Sequence, residues 1–167
     1  MIDVQNFMFS ADNPVYDAEA VLMRIKLLIG KAESAGIPVL FIQHTGAGDK
    51  PMRKGKYLWR IHPDIEPAHN DDVILKYTPD CFYETCLRDR LNLLNVENLI
   101  IAGMMTEICV DTTCRKAWSL GYNVVIAKDS HSTFDSGKIP AEMIIAHHNN
   151  IFESWFAMLE NADEIKF

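Results

Sequence analysis

The chain predicts a doubly wound α/β fold: three layers, α/β/α, around a mostly parallel sheet of about six strands. Two observations carry this expectation. Short continuous apolar runs alternate with stretches of helical period, and single glycines such as Gly36 and Gly121 stand where a helix hands over to the next run. The length of 167 residues, 49% of them apolar, suits a single domain over 1–167 with a substantial core.

The first segment, Met-Ile-Asp-Val-Gln-Asn-Phe, places Asp3 after at most two strand-like residues. So short a strand is weak on its own, which leaves open residues upstream of Met1 or a clipped first strand. Residues 17–35 carry apolar positions at 21, 22, 25, 28 and 29 between charges, an amphipathic helix closed by Gly36. IPVLFI (37–42) follows as a strand covered on both faces. The stretch 43–70 has no sustained period, as expected of a lid or binding loop. DVILKY (72–77) reads as a strand, 82–94 as a helix, and 97–102 as a strand broken by Gly103. A helix over 106–121 with Thr106 as N-cap comes next, then the strand YNVVIA (122–127). Pro140 opens another helix, and a short helix and a last strand near 164–167 complete the chain.

A net charge of −7 argues against nucleic-acid or membrane-surface binding as the default. No stretch approaches the ~20 apolar residues of a membrane span, and no signal peptide opens the chain. Four cysteines, at 81, 86, 109 and 114, form no CxxC pair, which points to free thiols in a reducing, cytoplasmic setting.

In parallel sheets ligands bind beyond the carboxyl ends of the strands. Asp3, His44, Lys76, Cys109 and Asp129 all fall at such ends. With Thr106 as cap, Cys109 lies in the first helical turn, where free N–H groups and the positive end of the helix dipole favour a thiolate. The alternative is a small apolar residue in that turn. A carboxylate, an ammonium and a thiol at three strand ends form a coherent nucleophilic set.

These residues resemble the isochorismatase-like cysteine hydrolases, a family that includes nicotinamidases and other amidases. The matching pieces are Asp3-Val4-Gln5; Trp59, Ile61-His62-Pro63 and Pro67; Asp72-Val73-Ile74-Leu75-Lys76; Phe82, Leu87 and Leu91. They continue through Gly103-Met104-Met105-Thr106-Glu107-Ile108-Cys109-Val110 to Thr113, Ala117, Gly121-Tyr122 and Asp129. The resemblance implies a catalytic triad of Asp3, Lys76 and Cys109. It also implies a cis peptide at Met104–Met105 that aims the N–H groups of Met105 and Cys109 at a developing oxyanion. The expected activity is hydrolysis of a small amide, imide or related C–N bond through a thioester. The alternatives are vinyl-ether hydrolysis of the isochorismatase kind and, in another class, a thiol redox sensor or ligand-binding module.

Nicotinamidases hold a metal with an Asp-x-His pair and a further His near the second strand's end. Here that place reads Gln43-His44-Thr45-Gly46-Ala47-Gly48, followed by Asp49, which departs from the pattern. No metal and no organic cofactor are expected. Candidate substrate contacts are Phe7, Tyr57, Trp59, Phe82, Thr106 and Phe134, with core packing an equal reading for Phe82. The basic run over 52–60 is either a solvated loop or a lure for an anionic substrate. Cys81, Cys86 and Cys114 are read as small core or surface residues. The partners expected are a small-molecule substrate and further copies of the chain.

Overall fold

The structure, a computed structural model, describes residues 1–48, 50–69 and 71–167. Among them run five parallel strands: β1 (Leu40–His44), β2 (Asp72–Lys76), β3 (Asn98–Met104), β4 (Asn123–Ser132) and β5 (Met158–Glu160). The helices are α1 (Ala18–Ser34), α2 (Leu87–Leu93), α3 (Asp111–Ser119) and α4 (Ala141–Ile151). β1 pairs with β2 from Leu40↔Asp72 to His44↔Lys76, while β3, β4 and β5 form a second parallel group.

One residue joins the two groups. Ile2 makes a parallel bridge to Ile42 of β1 on one side and to Gly103 of β3 on the other. The spatial order is therefore β2-β1-Ile2-β3-β4-β5, and the expected sixth strand is reduced to a bridge. Gly103 is what admits it. Its φ is 125°, and a Cβ there would lie 2.0 Å from the Ile2 carbonyl oxygen, so only glycine lets the two backbones meet.

Two apolar clusters cover the two faces. One packs Val21, Ile25 and Leu28 of α1 on Val4, Phe41 and Ala102. The other packs Leu87 and Leu91 of α2 and Cys114 and Ala117 of α3 on Ile2, Ile42, Ile74, Ile101 and Ile126. This is the three-layer arrangement expected of alternating strands and helices.

Several boundaries differ from the sequence reading. The helix expected over 82–94 begins only at Leu87, because local bonds hold 80–85 in turns: Phe82 N–H donates to Asp80 Oδ1 at 2.8 Å, and Thr85 Oγ1 donates to the Cys81 carbonyl. The last strand is Met158–Glu160 rather than 164–167. Ile165 is instead a buried anchor against the α1 face. The residue capping the helix after β3 is Met105, not Thr106, and the first turn, Thr106–Val110, is a π-turn.

Candidate functional site

Asp3 sits at the end of the bridging segment with its N–H on the Ile42 carbonyl at 2.9 Å. Its φ of 51° is left-handed, a conformation Asp tolerates better than most side chains and one that clusters at functional sites. Lys76 is the last residue of β2, and its ammonium turns inward rather than to solvent. Its Nζ lies 2.7 Å from Asp3 Oδ2 and 3.1 Å from Cys109 Sγ, and donates to the Thr78 carbonyl at 3.2 Å. Lys76 is 0% exposed, Asp3 1% and Cys109 8%. The three residues singled out from strand ends are thus brought together.

Burial opposes a charge on Lys76, but its attraction to Asp3 and Cys109 outweighs that, and its pKa is raised. Burial first, and the Asp3 carboxylate second, push the Cys109 thiol up to about 12, against the pull of Lys76. Desolvation and a neighbouring carboxylate thus oppose the thiolate that the helix terminus and the Lys76 ammonium favour. Asp3 Oδ1, the oxygen not on Lys76, is buried with no hydrogen-bond partner among the described residues.

Cys109 lies within the π-turn. The Met105 carbonyl accepts from the N–H groups of Ile108 and Val110, each at 3.1 Å, and not from that of Cys109 between them. The Met104–Met105 peptide is cis.

Gln5 and Gln43 fasten the neighbouring loop. Gln5 Nε2 donates to the carbonyls of His44 and Trp59, its Oε1 accepts the His44 N–H at 3.0 Å, and Gln43 Nε2 donates to the Trp59 carbonyl at 2.8 Å. The Trp59 indole N–H in turn donates to Thr45 Oγ1 at 3.0 Å. Trp59 is thus an anchored wall beside the strand ends, whereas Tyr57 is 69% exposed. Phe7 and Phe134 meet edge to face at 6.2 Å. Phe82 stacks on Tyr122 at 6.0 Å and packs on the α2/α3 core, so the core reading holds for it.

Thr106 is wholly buried, and its hydroxyl lies 2.9 Å from His131 Nδ1. His131 Nε2 is 2.9 Å from Asn149 Oδ1, and Asn149 Nδ2 donates to the Lys128 carbonyl. That chain fixes the tautomer: Nε2 carries the proton, and Nδ1 accepts the Thr106 hydroxyl. Burial lowers the His131 pKa to about 4, so the ring is neutral. His131 was missed in the sequence reading. The only trace there is the polar run Ser130-His131-Ser132-Thr133, every residue of which is buried.

Asp129 does not join the site. β4 shifts register between its pairings with Ile101 and Gly103, and in that irregular stretch Asp129 faces Arg24 at 3.7 Å and accepts the Ala162 N–H. His44 is half-buried with Nδ1 3.5 Å from Lys76 Nζ; burial and then the Lys76 charge lower its pKa. Asp49 lies outside the described residues. Among the described residues no group of three His, Cys, Asp or Glu side chains could hold a metal. No described helix is long and apolar enough to cross a membrane.

Fold and site together define an α/β protein with a thiol, an ammonium and a carboxylate buried in contact at the carboxyl ends of its strands. Residues 1–148 match the isochorismatase domain, and the chain belongs to that family. It is 34% identical over 153 residues to a streptothricin hydrolase of Streptomyces noursei, a match covering 86% of this chain and 54% of that protein. The chain thus spans about half the length of that curated relative. Nicotinamidase 3 of Arabidopsis thaliana is 25% identical over 151 residues, covering 81% of this chain and 72% of that one. The crystal structure of an isochorismatase family protein matches with a TM-score of 0.89 at 32% identity, covering 96% of this chain and 95% of that chain.

Proposed function

We propose that the protein is a cysteine-dependent hydrolase of a small amide, imide or related C–N bond, working as a single domain on a small-molecule substrate in the cytoplasm. The observation that carries this reading is the Lys76 ammonium lying between Asp3 Oδ2 and Cys109 Sγ, with all three residues buried. The names of relatives, a nicotinamidase among them, point the same way.

In the first half, Sγ attacks the carbonyl carbon while the thiol proton passes to Asp3. The carbonyl's π pair moves onto oxygen, which rests on the N–H groups of Met105 and Cys109. Two donors held ready in this way are each worth roughly 3 kcal/mol in the transition state. Collapse of the intermediate breaks the C–N bond, and the amine leaves with the proton from Asp3. In the second half Asp3 takes a proton from water, the hydroxide attacks the thioester, and the C–S bond breaks. The acid departs and Sγ recovers its proton from Asp3. Lys76 keeps its charge throughout and balances whichever neighbour is anionic.

The test is a screen of small amides, ureas and lactams for amine release, repeated with Cys109→Ala. The variant should lose turnover by at least ~10³-fold, and the parent should show an acyl adduct on Cys109 by mass spectrometry. Full activity in the variant would end this proposal.

A further inference from the structure

The turn that carries Cys109 is gripped from β4 at two successive residues. His131 Nδ1 lies 2.9 Å from the Thr106 hydroxyl, and the Thr133 hydroxyl donates to Glu107 Oε1 at 2.8 Å. His131 is itself held firmly. It stands in β4 in register with Gly103, and its Nε2 lies 2.9 Å from Asn149 Oδ1 of α4. Its ring meets the wholly buried Phe152 edge to face, with centroids 6.1 Å apart. A ring fixed in this way keeps the Thr106 hydroxyl in one place. A threonine at a helix start ordinarily turns its hydroxyl to its own first turn instead.

The spacing says which group that hydroxyl would otherwise take. A capping threonine accepts from the N–H of the second or third helical residue, and counted from Thr106 these are Ile108 and Cys109. The Ile108 N–H already donates to the Met105 carbonyl at 3.1 Å, as does that of Val110. The amide left for a capping Thr106 is therefore that of Cys109, the same amide that the proposed mechanism assigns to the oxyanion. With Nδ1 unprotonated, the hydroxyl gives its one proton to His131. The turn then opens with Met105 as its cap and without a side-chain cap bond.

We propose that His131 is a positioning residue: by holding the Thr106 hydroxyl toward β4, it keeps the Cys109 N–H uncapped and available to the developing oxyanion. What that N–H does rests on the proposed function; whether it is uncapped rests on the turn alone. A donor already engaged by a neighbouring oxygen must give up that bond before it can serve the oxyanion. Capping would therefore weaken the transition state and leave ground-state binding of substrate little changed. The signature is a fall in kcat at nearly constant KM.

The experiment compares His131→Asn, His131→Gln, and His131→Gln combined with Thr106→Val. The Asn side-chain oxygen stands near the place of Nδ1 and keeps the hydroxyl. The Gln amide reaches the place of Nε2, keeps the bond to Asn149 and lets the hydroxyl go. His131→Asn should lose less than about threefold in kcat and His131→Gln about 30-fold or more, both with KM within about twofold of the parent. Thr106→Val removes the released hydroxyl and should win back about tenfold or more of the loss in His131→Gln. In the resting protein, amide hydrogen exchange at Cys109 should slow at least about tenfold in His131→Gln and return to the parent rate in the double variant. Equal losses of kcat in the two single variants, or a double variant no faster than His131→Gln, would overturn the proposal. So would unchanged exchange at Cys109 in His131→Gln. Exchange is read without turnover, so it decides the uncapping independently of whether the Cys109→Ala screen upholds the catalytic reading.

Discussion

Lys76 shows what a single residue type at a strand end can and cannot reveal. Its position after an apolar run marked it for the site, but a lysine there is ordinarily solvated, and only the 2.7 Å contact with Asp3 shows that its charge is held inside. Removing one partner from a buried pair leaves the other charge stranded. Lys76→Met should therefore cost about 3–5 kcal/mol in urea unfolding, and Lys76→Met with Asp3→Asn should regain much of that while remaining inactive. A double variant no more stable than the single one would show that the pair is not the source of the loss. His131 was illegible for a different reason: a lone polar residue late in a strand has no period to betray it. Its folded pKa of about 4 lies below the ordinary 6.5. The native state thus binds fewer protons between those values, and stability is full above pH 6.5 and falls as pH drops toward 4. The loss attributable to this ring is about 3 kcal/mol. His131→Asn should flatten the stability–pH curve over that window relative to the parent.

At the level of elements, α1, β1, β2, β3 and β4 were legible because each is a long or strongly patterned stretch, and their ends moved by a few residues. The Thr106 cap was not legible correctly. A threonine before a helix normally turns its hydroxyl to the first free N–H groups, but here His131 holds that hydroxyl at 2.9 Å and the helix opens as a π-turn instead. A contact between residues 25 apart in the chain overrode a local preference. β5 was misplaced because MLE is too short to carry a pattern, while Ile165 imitates a strand residue by being buried alone.

For the molecule as a whole, alternation of strands and helices gave the layers, but it could not show that a single residue, Ile2, ties the two halves of the sheet. The segment Met1 to Asp3 that performs this also delivers the carboxylate beside Cys109. Its grip on β1 and β3 comes from a handful of backbone bonds at the edge of an unfilled space. Mild urea should consequently silence the enzyme while its helices are still intact: catalytic inactivation would precede the loss of the far-ultraviolet circular dichroism signal. If the two curves coincide, the amino-terminal segment is as secure as the rest of the sheet.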